Sequence, residues 1–236
     1  EPVGNFIEDT GYSSYKPKAF DMSSYGGNSF HLDMQPSHDS DLLVSSVGRN
    51  DGDTLFADMA AGHTITRYGN THHDNTVGNP FGSGTAMYFD GSGDYLQTST
   101  SSDLTFGTGD FTVETWFYPT TVDTSTGYKG IISDELYSST GGWAVSQRDD
   151  ELSLWVKDTG GSWVSFVADG ALTASQWQHI AVSYDSSSTT TRLFVDGTVV
   201  ASGTTSGWNL TGDQIEIGRS VSGQEITGYL FDARAT

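Results

Sequence analysis

Cysteine is absent from these 236 residues, and lysine and arginine together number only 10. Without thiols there is no disulfide and no thiolate metal site, so the fold rests on packing, helped at most by an oxygen-ligated cation. Against the few cations stand 30 acidic residues, a formal charge of −20. Nucleic acid is thereby excluded as a partner, because affinity for phosphate comes from Lys and Arg neutralising it. The same charge disfavours anionic membrane surfaces and favours solubility, above all where salt screens self-repulsion. No run of about 18 apolar residues occurs, so membrane insertion is not expected. A signal peptide and runs of strong helix formers are missing too. The sequence opens on Glu1 and closes on Thr236 just after a strand-like segment, as an excised piece with neighbouring domains in a longer parent would.

What is present is strand and turn chemistry. Hydrophobic residues make up 35% and aromatics 12%, with 29 Gly and abundant Ser, Thr and Asp. Such a core is built from Phe, Tyr, Trp, Val, Ile and Leu on short strands. Residues 1–27 are polar and aperiodic; then Phe30, Leu32 and Met34 alternate with His31 and Asp33 as a half-buried strand. Residues 1–40 therefore read as a tether with one peripheral strand, and 41–236 as the main domain. Short strands are expected at 41–46 and 63–67, with a His/Asn-rich loop around 70–79.

From Thr85 onward the pattern is regular. Strands are predicted at 86–89, 95–98, 111–119, 130–133, 143–147, 152–157, 162–168, 179–184, 191–195, 198–201, 214–217 and 228–235. Asp196-Gly197 between two alternating runs is a hairpin signal, since both central residues of a type I′ turn need positive φ. Strands every 8–12 residues with turns between them read as an all-β, two-sheet antiparallel sandwich. Leu172–Gln176 is the one place where a short helical turn is expected.

Particular segments carry a family likeness. Gly84-Thr-Ala-Met-Tyr-Phe-Asp-Gly-Ser-Gly-Asp-Tyr-Leu96 and Phe106-Gly-Thr-Gly-Asp-Phe-Thr-Val-Glu-Thr-Trp-Phe-Tyr-Pro119 resemble the opening strands of laminin-G-like domains. Trp177-Gln-His-Ile-Ala-Val-Ser-Tyr184, Arg192-Leu-Phe-Val-Asp-Gly-Thr198 and Gly228-Tyr-Leu-Phe-Asp-Ala-Arg234 complete the order. Lys18-Ala-Phe-Asp-Met-Ser-Ser-Tyr25 and Asn28–Met34 are similar to segments preceding such domains in marine bacteriophage structural proteins. The resemblance implies a concanavalin-A-like jelly roll, often with Ca²⁺, serving as a surface-, receptor- or glycan-binding module, extracellular or virion-associated. The same sandwich also hosts glycosidases, so fold does not settle function.

Two-carboxylate hydrolysis needs a pair of acids flanking one bond, and alternate acids on one strand would supply it. No such arrangement occurs: Glu114 and Glu216 are lone acids on their strands, and Asp149 with Glu151 reads as a hairpin turn. No Gly-x-Ser-x-Gly elbow is present, and His179 reads as a structural strand residue. His63, His72, His73 and Asp74 match no transition-metal spacing. Calcium wants six to eight hard oxygens. The resemblance puts Asp232 where relatives hold a structural Ca²⁺ between terminal strands, with Asp58 near an early-strand position that could meet it. Asp90 and Asp94 flank a glycine-rich turn able to aim carbonyls at a cation, although plain Asx chemistry explains that turn equally well.

For glycans, Trp143, Trp155, Trp163, Trp208, Tyr128 and Tyr137 are possible platforms. Trp208 and Tyr137 lie in loop-like contexts, and Trp155 alternates with Leu152, Leu154 and Val156, so it points outward if those three face the core. The expectation is a non-catalytic carbohydrate- or surface-binding domain of a phage or secreted structural protein, with a glycan or cell-surface ligand. Two alternatives stand beside it: an architectural virion decoration or spacer module without a glycan ligand, and a divergent polysaccharide hydrolase.

Overall fold

The computed structural model describes residues 7–9, 15–17, 42–46, 48–58, 62–122, 127–135, 139–205 and 208–236. The chain divides into two units, Glu1–Ser37 and His38–Thr236. In the first, β1 (Ile7–Asp9) and β2 (Tyr15–Pro17) pair antiparallel. The strand expected at 28–34 lies outside the described residues.

The second unit runs β3 (Leu42–Val44), β4 (Ile65–Tyr68), β5 (His72–Asp74), β6 (Ala86–Asp90), β7 (Tyr95–Thr98), β8 (Phe111–Pro119), β9 (Lys129–Asp134) and β10 (Trp143–Arg148). It continues through β11 (Glu151–Lys157), β12 (Trp163–Ala168), β13 (Gln178–Asp185), β14 (Thr190–Val195), β15 (Thr198–Thr204), β16 (Ile215–Ile217) and β17 (Thr227–Ala235). A seven-stranded sheet has the order β12-β11-β10-β9-β16-β7-β4. An eight-stranded sheet has the order β15-β14-β13-β8-β17-β6-β5, with β3 beside β17. All named strand pairs are antiparallel, and the domain is a jelly-roll sandwich. A 3-10 turn at Ser102–Leu104 is the sole helical piece among the described residues. At 172–176 a plain turn with Ser175 at φ 60° replaces the expected helical one.

Alternation explains which residues meet between the sheets. Leu152, Leu154 and Val156 of β11, with Trp143 and Val145 of β10, face Phe111, Val113 and Phe117 of β8 and Ile180 and Val182 of β13 in one core cluster. Every second residue along these strands goes inward because the side-chain period of a strand is two. The β14–β15 hairpin turns on Asp196 (φ 49°) and Gly197 (φ 74°), both left-handed as the Asp-Gly signal requires.

One strand was hidden in the sequence. His72–Asp74, expected as loop, pairs with β6 as β5. Its inward residue is His73, fully buried, stacked on Phe56 at 4.4 Å and bonded to Ser46 Oγ and the Leu55 carbonyl. Burial pushes its pKa down, so it sits in the core as a neutral ring. A polar inward residue gives no hydrophobic alternation to read.

Candidate functional site

The outer face of the seven-stranded sheet gathers polar, charged and aromatic groups from all seven strands. Register places Ser165, Trp155, Ala144, Ser133, Glu216, Gln97 and Thr66 in one cross-sheet row. Because Leu154, Val156, Ile132, Ile215, Ile217 and Leu96 point into the core, this row points away from it. The segment 218–226 lies over the middle of the face. Ser133 Oγ donates to the Arg219 carbonyl at 2.8 Å, and the Gly130 amide donates to the Gln224 carbonyl. Glycine is required at 130, since a Cβ there would stand 2.2 Å from the Ser220 nitrogen.

On one side of this strap is a Trp–Tyr corner. Trp155 and Trp163 meet edge to face at 6.2 Å, and Tyr128 meets Trp155 at 5.1 Å. Trp163 is 44% exposed, with Lys157 Nζ 5.4 Å from its ring centre. Arg148 lies 4.6 Å from the Tyr128 ring centre and donates to Glu151 Oε2 at 2.7 Å. Burial and the nearby Glu151 charge push the Tyr128 phenol up. Beneath lie Ser146 and Ser153, both fully buried.

On the other side, Tyr68 and Tyr95 stack in parallel at 4.2 Å, with the Arg219 guanidinium 3.4 Å from the Tyr95 ring centre. Arg219 is ion-paired to Glu216, which also accepts from Gln97 Nε2 at 3.1 Å. Two carboxylates on the strands of the face, Glu151 and Glu216, sit on β11 and β16, three strand steps apart. At about 4.8 Å per step that is about 14 Å. Two-carboxylate glycoside hydrolysis uses separations of about 5–5.5 or 6.5–9.5 Å. This pair cannot flank one glycosidic bond.

The structure locates the other sequence candidates individually. Asp94, fully buried, accepts from the Asn70 amide at 2.6 Å and the Asp90 amide at 2.9 Å, stapling the β4–β5 turn to the β6–β7 hairpin. Burial raises its pKa, partly offset by those two amides. Asp90 accepts from the Ser92 amide and from Asn70 Nδ2. Asp58 meets His63 Nδ1 at 2.5 Å, and His63 Nε2 lies 3.2 Å from Asp103. Burial pulls the imidazole down, but hydrogen bonds to the two carboxylates outweigh it and raise the pKa. Asp232 sits at an irregularity of β17 with φ 52°; its Oδ1 is buried with no hydrogen bond, and burial raises its pKa. Among the described residues, no three His, Asp or Glu gather so as to hold a metal.

Of the aromatic candidates, Trp155 points outward, as its alternation indicates. Trp208 does not serve as a loop platform. It is 3% exposed, packed on Tyr184 at 4.7 Å and Phe166 at 6.0 Å, because its loop folds inward to close the core. Trp143 is likewise core at 1%. Tyr137 lies outside the described residues. Sequence reasoning passed over Ser146, Arg148 and the Tyr68–Tyr95 stack; outward alternation on β10, β4 and β7 was the available signal.

Two facing antiparallel sheets, one with a polar and aromatic outer face, define a lectin-type jelly roll. Residues 89–235, more than half of the chain, match the family described as the concanavalin A-like lectin/glucanases superfamily, and the chain belongs to it. No curated protein sequence matches. Among solved structures, the binding domain of Paraclostridial Mosquitocidal Protein 1 is similar with a TM-score of 0.63 at 13% identity, over 82% of this chain and 48% of that one. The botulinum neurotoxin serotype G binding domain gives 0.63 at 14% identity, over 83% and 47%. The serotype D ligand-binding domain, solved in complex with N-acetylneuraminic acid, gives 0.62 at 15% identity, over 84% and 47%. The chain thus spans about half the length of these structures, and at such identities the likeness is one of fold.

Proposed function

We propose that this domain is a non-catalytic recognition module for carbohydrate at a surface, using the Trp155–Trp163 corner of the seven-stranded sheet, which Tyr128 borders. The observation that carries the reading is Trp163, a large ring held half out in water on a face that also presents Lys157, Arg148 and Glu151. Solvent-facing aromatic rings beside a few fixed polar groups are what sugar rings need: an apolar face to stack on and hydrogen bonds for orientation. The similar toxin binding domains, one of them crystallised with a sialic acid, support recognition over catalysis. So does the wide separation of Glu151 and Glu216. An extracellular or virion-borne place in a longer protein belongs to the same proposal.

A glycan array with wild type and Trp163→Ala tests it. Binding by wild type that is lost in the variant is expected; no binding to any glycan or cell surface would sink the reading. Calcium enters as a separate proposal confined to Asp232. Asp58, Asp90 and Asp94 already accept hydrogen bonds, whereas Asp232, although bonded to Ser45, keeps its buried Oδ1 open. Millimolar Ca²⁺ should then raise the Tm of EDTA-treated wild type and leave Asp232→Asn unmoved, since an ion bound to the native state stabilises it.

A further inference from the structure

The proposed recognition surface contains polar atoms that are shut away from water without a hydrogen bond of normal geometry. Ser146 is 0% exposed and Glu151 2%. Ser146 Oγ, Glu151 Oε1 and Trp155 Nε1 make no hydrogen bond of normal geometry. Buried polar atoms nearly always find partners, so three neighbours without them call for a cause. They are neighbours by construction. Alternation sets Glu151, Ser153 and Trp155 in one column of β11, and register sets Ser146 opposite Ser153. The β10–β9 register also shifts between Val145 and Ser146, an irregularity of the kind that re-aims a side chain.

The three atoms form a mixed set: a hydroxyl that donates and accepts, a carboxylate oxygen that accepts, and an indole that donates. Above them stands Tyr128. Its ring touches Trp155 at 5.1 Å on one side and the Arg148 guanidinium at 4.6 Å on the other. Trp155 and the Arg148–Glu151 pair lie on opposite sides of Ser146 and Ser153, so a ring that touches both crosses over the two serines. The Tyr128 phenol bonds to the Glu151 carboxylate, but its ring face gives Ser146 Oγ and Trp155 Nε1 neither a lone pair nor an N–H.

We propose that Tyr128 is a plug. It fills a polar subsite whose true occupant is one neutral sugar ring of a glycan, which displaces it. The inference rests on the recognition reading above and names its ligand class. Adjacent hydroxyls of a sugar both donate, to Glu151, and accept, from Ser146 and Trp155. An anionic sugar would instead meet the Glu151 carboxylate, whose charge Arg148 already balances, on a chain of formal charge −20.

Calorimetric titration with neutral hexasaccharides of glucose, galactose and mannose, and with an acidic uronic hexasaccharide, tests this on the full chain. Tyr128→Ala should bind one neutral sugar about tenfold more tightly than wild type, as expected for a plug open about a tenth of the time. Tyr128→Phe, which keeps the ring, should gain less, and adding Ser146→Val should remove the gain. Thermal melting confirms that each variant folds; if Tyr128→Ala does not, Tyr128→Ser replaces it. Equal or weaker binding by the plug variant, with Trp163→Ala still abolishing binding, overturns the plug and leaves the recognition reading intact. Binding confined to the acidic sugar overturns the ligand class. No binding by wild type or plug variant overturns both readings.

Discussion

The two outer faces of the sandwich solve the same problem differently. On the eight-stranded sheet, side chains from four strands and the residue before β13 form a row of rings: His72–Tyr88 at 5.2 Å, Tyr88–Tyr229 at 5.1 Å, Tyr229–Tyr118 at 5.8 Å and Tyr118–Trp177 at 5.5 Å. Each ring is tilted or edge-on to the next, the arrangement aromatic quadrupoles prefer, so the row stabilises itself. Trp177 Nε1 is the one unbonded atom of the row itself, and Asp232 Oδ1 stands apart from it on the same sheet. The seven-stranded sheet instead holds three such atoms side by side, with ion pairs and a half-exposed Trp. Rings that satisfy one another explain themselves, whereas clustered donors and acceptors are the observation on which the proposed binding face rests.

Removing a ring from the self-satisfied row should cost most. Tyr229→Ala, at a residue 6% exposed between Tyr88 and Tyr118, is expected to lose about 3 kcal/mol in denaturant unfolding while glycan binding stays unchanged. A binding loss at matched folding would erase the contrast between the faces. Acid tests the same sheet at His179, whose pKa burial lowers to about 4. Its ordinary value near 6.5 means the unfolded chain takes the proton first. Stability is therefore full above about pH 6.5 and falls as pH drops toward 4, by at most about 3 kcal/mol. His179→Gln should flatten that limb of the stability–pH curve. His63 runs the other way: its raised pKa stabilises at low pH, and the contribution fades as pH rises through the folded value.

On the seven-stranded face the order of effects reverses. Trp163→Ala should weaken glycan binding about tenfold or more, worth about 1.4 kcal/mol, with unfolding changed by less than about 0.5 kcal/mol. Smallest of all is Ser146→Ala, expected neutral or slightly stabilising by thermal melting, because it deletes a hydroxyl that bonds to nothing. A destabilisation above about 1 kcal/mol would mean that the hydroxyl has a partner in solution.

Local rules carried much of this into the sequence. Strand spacing, the Asp196-Gly197 turn and the outward side of Trp155 follow from periods of two and from turn chemistry. What escaped is long-range. His63 meets Asp103 across 40 residues, and Asp94 reaches back to Asn70 across 24. Trp208 reads as a loop residue until its loop is seen folding into the core. The proposed recognition corner was half legible: its aromatic rings stand out in the sequence, but the strands that bring Ser146 near Tyr128 are paired only in the fold.

The strap at 218–226 has a geometric corollary. It is bonded to Gly130 and Ser133, so that Arg219 and Ser220 cover the middle of the face. On the proposed recognition reading, a polymer crossing the face would meet this segment between the Trp155 and Tyr95 stations. The face is thereby divided into two aromatic stations, Trp155 with Trp163 on one side and Tyr68 with Tyr95 on the other.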